Sequence, residues 1–311
     1  MTSTTTPAVS IVMSAYNAAD VLGPALDSLT AQDFEDVEFI ICDDGSADDT
    51  ASVITQKAKA DPRIKPLLFR QNRGIVPTVT DGLAAARAPL IARADSDDLH
   101  MPDRLSRQVE FMAANPDIDL LGGFMQTFGD REMLFDYETD PDMVACCFLF
   151  RCAVAQPVAM IRRHVFDEWG LAYDPAHPFS QDWGLFSRIA ARGRAANLDQ
   201  VLAKYRFHDK KVGITNRPKQ KAVANSIVRR IAGDIGVEAS DVDIEVNFAL
   251  DDADKGRRPY DADFPASAAL NWLARLQQAN RVSGYMPGEA FDALLGRMQA
   301  GAEAALAGGA S

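Results

Sequence analysis

Four short apolar runs near the start of the chain are each followed by a polar turn and then by a helical pattern. The runs begin at Val9, Val37, Ile64 and Leu90. Strands that alternate with helices predict βαβ units. The run from Val37 is apolar almost throughout, as expected of a strand that is covered on both faces. We therefore predict an α/β fold, a Rossmann-like and mostly parallel sheet flanked by helices.

The polar turns are expected to meet at one edge of this sheet. They occupy residues 14–17, 43–46, 71–74 and 95–98. Each follows the carboxyl end of a predicted strand, and open parallel sheets bind their ligands outside those ends. The sequence therefore predicts a single polar crevice built from four turns.

The turn Asp95-Ser96-Asp97-Asp98 is the most acidic of the four. Three carboxylates this close repel one another, so holding them together is costly without a cation. Carboxylate oxygens suit Mg²⁺ or Mn²⁺, which commonly bind one or two carboxylates together with substrate phosphates. The alternative is an acidic turn that only starts the following helix. The turn Asp43-Asp44-Gly45-Ser46 has two readings as well, a common Asp-Gly turn or an acidic group that binds a base or ribose.

Taken as a set, these turns resemble family 2 glycosyltransferases of the GT-A fold, over roughly residues 8 to 210. The resemblance rests on the following motifs, given in chain order: Ser10-Ile11-Val12-Met13-Ser14-Ala15-Tyr16-Asn17, Asp43-Asp44-Gly45-Ser46, Asn72-Arg73-Gly74, Arg93-Ala94-Asp95-Ser96-Asp97-Asp98 and Met101-Pro102-Asp103-Arg104-Leu105. It implies a metal-dependent, hexosyltransferase-type enzyme that inverts the sugar. Its donor would be a nucleoside-diphosphate sugar, with UDP as the expected nucleotide.

The resemblance also implies roles for the residues at the strand ends. The residues matching the donor nucleotide site are Ser14, Tyr16, Asn17, Asp44, Arg73 and Asp95. Asp95 and Asp97 match the Asp-x-Asp motif that holds Mn²⁺ or Mg²⁺ on the diphosphate. Asp98 is expected beside the donor sugar or the metal. His208 is expected to reach the metal or a phosphate.

The motif Ser180-Gln181-Asp182-Trp183 supplies a candidate base. The resemblance implies that Asp182 deprotonates the acceptor hydroxyl; the alternative is a carboxylate that interacts with a helix dipole. Gln181 replaces an acid of the family and can still hydrogen-bond a sugar hydroxyl. Gln156, where many relatives have His, is expected on the acceptor side. Trp183 is interpreted either as a sugar-stacking ring or as part of the core.

Two other functions stay open at this stage. A nucleotidyltransferase on a similar scaffold usually has a Gly-rich loop followed by Arg and Lys near the first strand, and residues 14–17 have neither. A catalytically weak or inactive relative that binds nucleotide sugars or carbohydrates stays open because of Gln181. Under the favoured reading the acceptor is a glycan or a lipid-linked glycan, and the setting is bacterial polysaccharide biosynthesis.

Composition bounds the partners and the location. The net charge of −12 argues against a nucleic-acid partner, because phosphate binding needs a basic surface. The one dense basic stretch, residues 204–221, is either a solvated surface or an anion-binding rim. No apolar run approaches the roughly 18 residues of a membrane helix, and the N-terminus does not match a signal peptide. We expect a cytoplasmic protein that acts at the inner membrane face or forms a homo-oligomer.

Beyond residue 215 the pattern becomes helical. We predict a catalytic domain over residues 1–215 and a helical C-terminal extension over residues 216–311. Helices are predicted over residues 222–235, 266–280 and 288–306, and the charged stretch 251–260 is predicted to be a loop.

Overall fold

The first third of the chain folds into the predicted alternation of strands and helices. The computed structural model describes residues 6–129, 132–207, 217–261 and 263–308. The alternating elements are β1 (Val9–Ala15), α1 (Ala19–Thr30), β2 (Val37–Asp43), α2 (Thr50–Ala60), β3 (Ile64–Leu68), α3 (Ile75–Ala85) and β4 (Leu90–Asp95). The four strands are parallel and lie in the order β3-β2-β1-β4.

Both faces of this parallel sheet are covered by apolar side chains. On one face, Ile11 and Met13 of β1 are buried in the same cluster as Leu22 and Leu26 of α1. On the other, Val12 belongs to a cluster that includes Ile40, Ile91 and Leu83. Burial on alternate sides explains why β1 and β2 read as continuous apolar runs, since period-2 alternation appears only when one face is solvated.

The sheet continues with strands of mixed direction. The next elements are β5 (Leu99–His100), α4 (Arg104–Ala114), β6 (Leu120–Gly129), β7 (Leu134–Phe135), α5 (Pro141–Cys147), β8 (Met160–Arg162), α6 (His164–Asp167), α7 (Gln181–Arg192) and β9 (Ala195–Phe207). The strand order beyond β4 is β8-β6-β9-β5. Strand β8 is antiparallel to both of its neighbours, and β6 and β9 pair in parallel. The sheet is therefore parallel in its first half and mixed in its second.

The chain divides into two compact units. The first comprises residues 1–139 and 154–215 and contains the sheet. The second comprises residues 140–153 and 216–311, so it takes α5 from the middle of the chain. Its other helices are α8 (Arg217–Ile235), α9 (Asp241–Asp254), α10 (Ala266–Ser283) and α11 (Gly288–Gly308). None of the helices among the described residues is long and apolar enough to cross a membrane.

Helix α9 overturns the loop predicted over its last turn. Residues 251–254 are helical, and Ser240 and Asp243 form a reciprocal capping box that starts the helix. Asp251, in this predicted loop, is buried, with only 4% of its surface exposed. It is ion-paired with Arg151, which follows α5, and lies 2.5 Å from Arg257. Asp254 forms a two-point ion pair with Arg297 of α11, with distances of 2.6 and 3.0 Å. The charges in this stretch thus join elements of the second unit.

Candidate active site

The loops that follow β1 and β2 are tied to each other. The backbone N–H of Asn17 donates to Ser46 Oγ at 2.9 Å, and Asn17 Oδ1 accepts from the N–H of Ala47 at 2.9 Å. The Ser46 hydroxyl in turn donates to Asp43. Asn17 adopts a left-handed φ of 47°, which Asn tolerates better than most residues. Its side chain is thus engaged within the protein.

Two further predicted site residues, Ser14 and Tyr16, lie next to the hydrogen bonds that join these two loops. Ser14 lies between its register partners Cys42 on β2 and Asp95 on β4, and is partly buried. Tyr16 is 50% exposed at the same edge of the sheet. An aromatic ring that exposed can stack on a planar ligand such as a nucleobase.

Asp44 joins the loop after β2 to the start of α3. Its carboxylate accepts hydrogen bonds from the backbone N–H groups of Arg73 and Gly74, both at 2.9 Å, and from the Thr78 hydroxyl at 2.7 Å. Asp44 is only 4% exposed. A carboxylate at a helix N-terminus is stabilised by the free N–H groups and the helix dipole. In this structure Asp44 therefore positions the loop that carries Arg73.

The Arg73 side chain is held in place from two sides. Its Nη2 lies 2.8 Å from Asp81 Oδ2, and its guanidinium lies 3.7 Å from the centre of the Phe69 ring. The side chain is about one-third exposed, at 31%. Its charge is thus presented at the rim of the strand ends, where a phosphate group can reach it.

Gly45 allows the loops after β2 and β3 to pack closely. Its φ is +69°, and a Cβ placed there would lie 2.2 Å from the carbonyl carbon of Gln71 and 2.6 Å from the nitrogen of Asn72. Only glycine fits such an approach without displacing backbone. The Asp-Gly pair is therefore required by the contact between two loops.

The acidic turn after β4 is bound to the end of β9. Asp98 is fully buried and accepts a hydrogen bond at 3.0 Å from the backbone N–H of Arg206. The Arg206 Nε donates to the backbone oxygen of Asp97 at 3.0 Å. The Arg206 guanidinium also lies 4.6 Å from the centre of the Phe128 ring. The carboxyl end of β9 thus fixes the shape of the acidic turn.

A buried arginine compensates part of the negative charge of this turn. Arg104 is fully buried, and its guanidinium donates to Gln108 Oε1 at 3.0 Å and to the backbone oxygen of Arg93 at 2.8 Å. Burial lowers the pKa of Arg104 to about 9, although Asp95 and Asp98 raise it. The chain thus supplies one positive charge of its own beside these carboxylates, and the prediction of a bound divalent cation stays a prediction.

Asp95 and Asp97 have the right chemistry for Mn²⁺ or Mg²⁺ but are too few to enclose the ion. Within the described ranges, no group of three or more His, Cys, Asp or Glu side chains is placed to hold a metal ion. His208, the third predicted ligand, lies outside the described residues. Hard divalent cations often take one or two carboxylates and fill their shell with phosphate oxygens and water. The two carboxylates fit an ion that is shared with a diphosphate.

The candidate base Asp182 lies in the first turn of α7. The preceding Ser180 has a left-handed φ of 51°, an uncommon conformation for a residue other than glycine. Burial raises the pKa of the Asp182 carboxyl, and the charge of Asp95 raises it further. The backbone N–H of Trp183 and the guanidinium of Arg93 act in the opposite direction. A carboxylate with a raised pKa is a stronger base, so this environment suits proton abstraction.

Two amide side chains link α7 to the acidic turn. Gln181 Nε2 lies 3.3 Å from Gln156 Oε1, and Gln156 Nε2 lies 3.3 Å from Asp95 Oδ1. Gln156 opens a short 3-10 helix, Gln156–Val158, and is 7% exposed. Trp183 is 6% exposed, which favours its interpretation as part of the core. The structure thus brings both predicted glutamines together with Asp95.

No role was predicted for Arg93, although it belongs to the motif that ends at Asp98, or for Tyr173. Arg93 is fully buried; its Nη1 donates to the backbone oxygen of Val12 at 2.7 Å, and its guanidinium lies 5.9 Å from the Tyr173 ring centre. Burial raises the pKa of Tyr173 to about 12. Arg93 could have been recognised from the sequence, because it is a charged residue inside an otherwise apolar strand. No comparable signal marks Tyr173.

Comparison with known proteins places these features in a family. Residues 10–159 match the model of "Glycosyl transferase family 2". An "Uncharacterized glycosyltransferase" of Haemophilus influenzae is 26% identical over 234 residues, which is 72% of this chain and 72% of that protein. The "Succinoglycan biosynthesis protein ExoO" of Rhizobium meliloti is 33% identical over 205 residues, covering 61% of this chain and 58% of that protein.

Solved structures with low sequence identity share the fold. S. aureus TarS in complex with UDP-GlcNAc has a TM-score of 0.63 and 15% identity, covering 96% of this chain and 92% of that one. The mannosyltransferase PcManGT from Pyrobaculum calidifontis, in complex with GDP-Man and Mn²⁺, has a TM-score of 0.59 and 18% identity, covering 99% of this chain and 88% of that one. The α/β fold with its mixed sheet is therefore the GT-A fold of these proteins, and the predicted C-terminal helices are present in this chain.

Proposed function

This chain belongs to glycosyl transferase family 2, and on that basis we propose that it transfers a sugar from a nucleoside-diphosphate sugar to a hydroxyl group of a glycan or lipid-linked glycan. One observation carries the proposal. Asp182, whose pKa is raised by burial and by Asp95, lies on the helix whose first residue reaches Asp95 through two amide side chains. The candidate base and the candidate diphosphate site are thereby connected by hydrogen-bonding side chains.

The proposed reaction is a single displacement with inversion of the sugar. The Asp182 carboxylate accepts the proton of the acceptor hydroxyl while that oxygen forms a bond to the anomeric carbon. The bond from the anomeric carbon to the diphosphate oxygen breaks on the opposite face, and the nucleoside diphosphate leaves with the electron pair. Atoms and charges balance without a covalent enzyme intermediate.

The donor would lie across the strand ends. Asp95 and Asp97 would hold Mn²⁺ or Mg²⁺, and a bound divalent cation stabilises the charge that grows on a leaving diphosphate. Arg73, held over the Phe69 ring, would face a phosphate. Tyr16, half-exposed, would stack on the base, with Ser14 beside it. We propose UDP as the donor nucleotide, in line with the nucleotide named for TarS; the GDP-Man named for PcManGT makes GDP the competing choice.

The setting we propose is bacterial polysaccharide biosynthesis in the cytoplasm, at the inner face of the membrane. The name of the Rhizobium relative, a succinoglycan biosynthesis protein, supports it. This chain spans 58% of that protein, so the activity, acceptor and oligomeric state of the whole protein are part of the proposal.

Calorimetry with nucleotides tests the donor site. UDP should bind in the presence of Mn²⁺, and its affinity should fall by roughly 10- to 100-fold in Asp97→Ala, because a charge-assisted contact is lost. EDTA should lower the affinity of the wild-type chain in the same way. GDP titrated under the same conditions decides between the two nucleotides.

A matched control separates the metal site from a general loss of charge. Asp292 lies on α11 in the second unit, and its carboxylate accepts from Gln277. Asp292→Ala should leave UDP affinity unchanged. UDP affinity that survives both EDTA and Asp97→Ala would contradict the metal assignment, and UDP binding without donor hydrolysis in Mn²⁺ would favour a binding protein over an enzyme.

A further inference from the structure

The guanidinium of Arg73 already has an anionic partner within the chain. Its Nη2 lies 2.8 Å from Oδ2 of Asp81, a residue of α3. Among the residues that the structure describes, the Asp81 side chain makes no other hydrogen bond or ion pair. The Arg73 side chain is 31% exposed and that of Asp81 47%, so solvent and ligands can reach both. Exposed ion pairs are weak, and an anion that binds Arg73 can therefore replace Asp81.

The stack on Phe69 allows Arg73 to change partners without leaving its place. The guanidinium carbon lies 3.7 Å from the centre of the Phe69 ring. The attraction between a cation and an aromatic ring requires the cation to lie over the ring face, whatever the direction of the N–H groups in the plane. Arg73 Nε and Nη1 have no hydrogen-bond partner within the described part of the chain. The guanidinium can thus turn in its plane, or use these two donors, while it stays on Phe69.

A phosphate group and the carboxylate of Asp81 bind Arg73 through the same chemistry. Both are anions whose oxygens accept hydrogen bonds from a guanidinium. A phosphate that binds Nη2 has to displace Asp81. A phosphate that binds Nη1 or Nε leaves Asp81 in place and is repelled by its charge, because like charges at short range disfavour each other. In either arrangement Asp81 lowers the affinity of Arg73 for phosphate.

Resting on the proposed function, in which Arg73 faces a donor phosphate, we propose that Asp81 competes with the nucleoside diphosphate for Arg73 and limits how tightly it is held. The competition matters most after transfer. The leaving nucleoside diphosphate keeps both phosphates, and it must depart before the next donor binds. Asp81 takes Arg73 back as the product leaves, and product release is a common limit on turnover. Asp81 acts through Arg73 and is not itself a catalytic residue.

Calorimetry on the full chain with UDP and Mn²⁺ tests the competition. Asp81→Asn keeps the size of the side chain but removes its charge, and UDP should bind about two- to fivefold more tightly, the effect of one exposed ion pair. Asp27→Asn is the matched control. Asp27 is 64% exposed on α1 and ion-paired with Lys57, so the variant removes the same charge from another helix of the first unit. It should leave the UDP affinity unchanged, and both variants should melt at the temperature of the wild type.

A second background shows whether Asp81 acts through Arg73. Met keeps an apolar side chain over Phe69 but donates no hydrogen bond, so Arg73→Met should weaken UDP binding. In that background Asp81→Asn should bring no gain, because no guanidinium is left to draw a phosphate towards Asp81. Uridine, which has no phosphate, should gain nothing from Asp81→Asn in either background. In a transfer assay with Arg73 present, inhibition by the product UDP should strengthen in Asp81→Asn by the same factor as the UDP affinity.

The outcomes distinguish this inference from the proposed function. An unchanged or weaker UDP affinity in a folded Asp81→Asn would overturn the inference and leave the transferase activity standing. An equal gain in the Arg73→Met background would overturn it as well, as a general effect of charge, and so would a gain in uridine affinity. If the donor-site titrations select GDP, then GDP and guanosine take the places of UDP and uridine. A wild-type chain that binds neither nucleotide and hydrolyses no nucleotide sugar in Mn²⁺ would count against the proposed function, and with it the inference.

Discussion

At the scale of single residues, the balance of charge around Asp182 is the central feature of the candidate site. Burial and Asp95 make its carboxyl harder to ionise, whereas Arg93 and a backbone N–H make it easier. Asp95 interacts with a positive group as well, because its charge raises the pKa of the buried Arg104. Asp182 and Asp95 are thus each influenced by a positive group of the same chain, Arg93 for the first and Arg104 for the second.

We expect Asp182→Asn to abolish transfer while leaving UDP binding nearly intact. The amide keeps the size of the side chain but cannot take a proton, and loss of a general base commonly lowers the rate by about 10² to 10⁴. Turnover and UDP affinity measured on the same preparation check this. Asp174→Asn is the control, since this partly exposed residue lies 3.7 Å from His177. Wild-type turnover in Asp182→Asn would rule out Asp182 as the base and make Asp174 and His177 the next candidates.

The pH dependence of kcat/KM should report the raised pKa of Asp182. The base works only when it is ionised, so activity is lost as the pH falls through its pKa in the folded protein. Because that pKa lies above the ordinary value of 3.8, the acid limb should lie above pH 3.8. A profile measured at constant ionic strength tests the direction, and replacing Arg93 with Met should move the limb to higher pH. A limb at or below the ordinary value would argue against Asp182 as the base.

The sequence predicted the carboxylates and the two glutamines of the site, but not the contacts that connect them. Asp95, Asp97 and Asp182 follow from motifs that are local in the chain. The contact between Gln156 and Asp95 joins residues 61 positions apart, and its geometry depends on how β4 and the 3-10 helix are placed. Arg104 belonged to a recognised motif, yet its burial beneath the acidic turn depends on α4 packing against the sheet. Such contacts follow from tertiary structure, which no local pattern encodes.

At the scale of elements, the loops at the strand ends form one connected rim. Asn17 and Ser46 join the loops after β1 and β2, and Asp44 joins the second of these to α3. Gly45 is the point where this rim is tightest, because its missing Cβ leaves room for the backbone at Gln71. The loops therefore support one another, and a change in one should reach its neighbours.

Gly45→Ala should lower both stability and nucleotide affinity. A left-handed φ costs an ordinary residue roughly 1–2 kcal/mol, and the contact with Gln71 adds to that. The loops must separate, which disturbs the hydrogen bonds of Asp44. Thermal unfolding and UDP calorimetry measure the two effects. Gly23→Ala is the matched control: it lies within α1, has nothing within 4 Å of the added Cβ, and should be neutral or slightly stabilising. Equal behaviour of the two variants would refute the packing argument.

Elements with a strong pattern were predicted well, and those with weak or mixed patterns were not. The apolar runs of β1, β2 and β4 matched the observed strands to within two residues at each end. The last turn of α9 was predicted to be a loop because the stretch 251–260 is dense in acidic and basic residues. In the structure those residues pair with Arg151 and Arg297, partners that lie far away in the sequence. Ion pairing with distant residues turned a polar segment into a buried one.

At the scale of the whole molecule, the two units are interleaved along the chain. Helix α5 lies between β7 and β8 of the sheet unit in sequence, yet it belongs with the C-terminal helices. Its segment carries buried apolar residues, among them Val144, Phe148 and Phe150. The predicted boundary at residue 215 leaves this segment in the first domain, whereas in the structure the segment belongs to the second unit.

A chain that ends at Arg217 should therefore be poorly soluble or melt at a lower temperature. It would keep α5 but lose the helices of its own unit, so Val144, Phe148 and Phe150 would lose their apolar surroundings in that unit, and exposed apolar clusters promote aggregation. Size-exclusion chromatography and thermal unfolding test this. A monodisperse shortened chain with the melting temperature of the full chain would show that the segment of α5 is stable without the C-terminal helices. If that chain also bound UDP, the donor site would be independent of the C-terminal helices.

The place of α5 in the chain also matters while the protein is being made. A ribosome completes α5 about 160 residues before it completes α11. At about 5–20 residues per second, this leaves the apolar segment without its partners for roughly 8 to 30 s. During that time the nascent chain exposes this apolar segment between the strands of the sheet unit. Chaperones that bind nascent chains should engage residues 140–153 more than the flanking strands, and slow translation of the codons for residues 216–311 should lengthen that engagement.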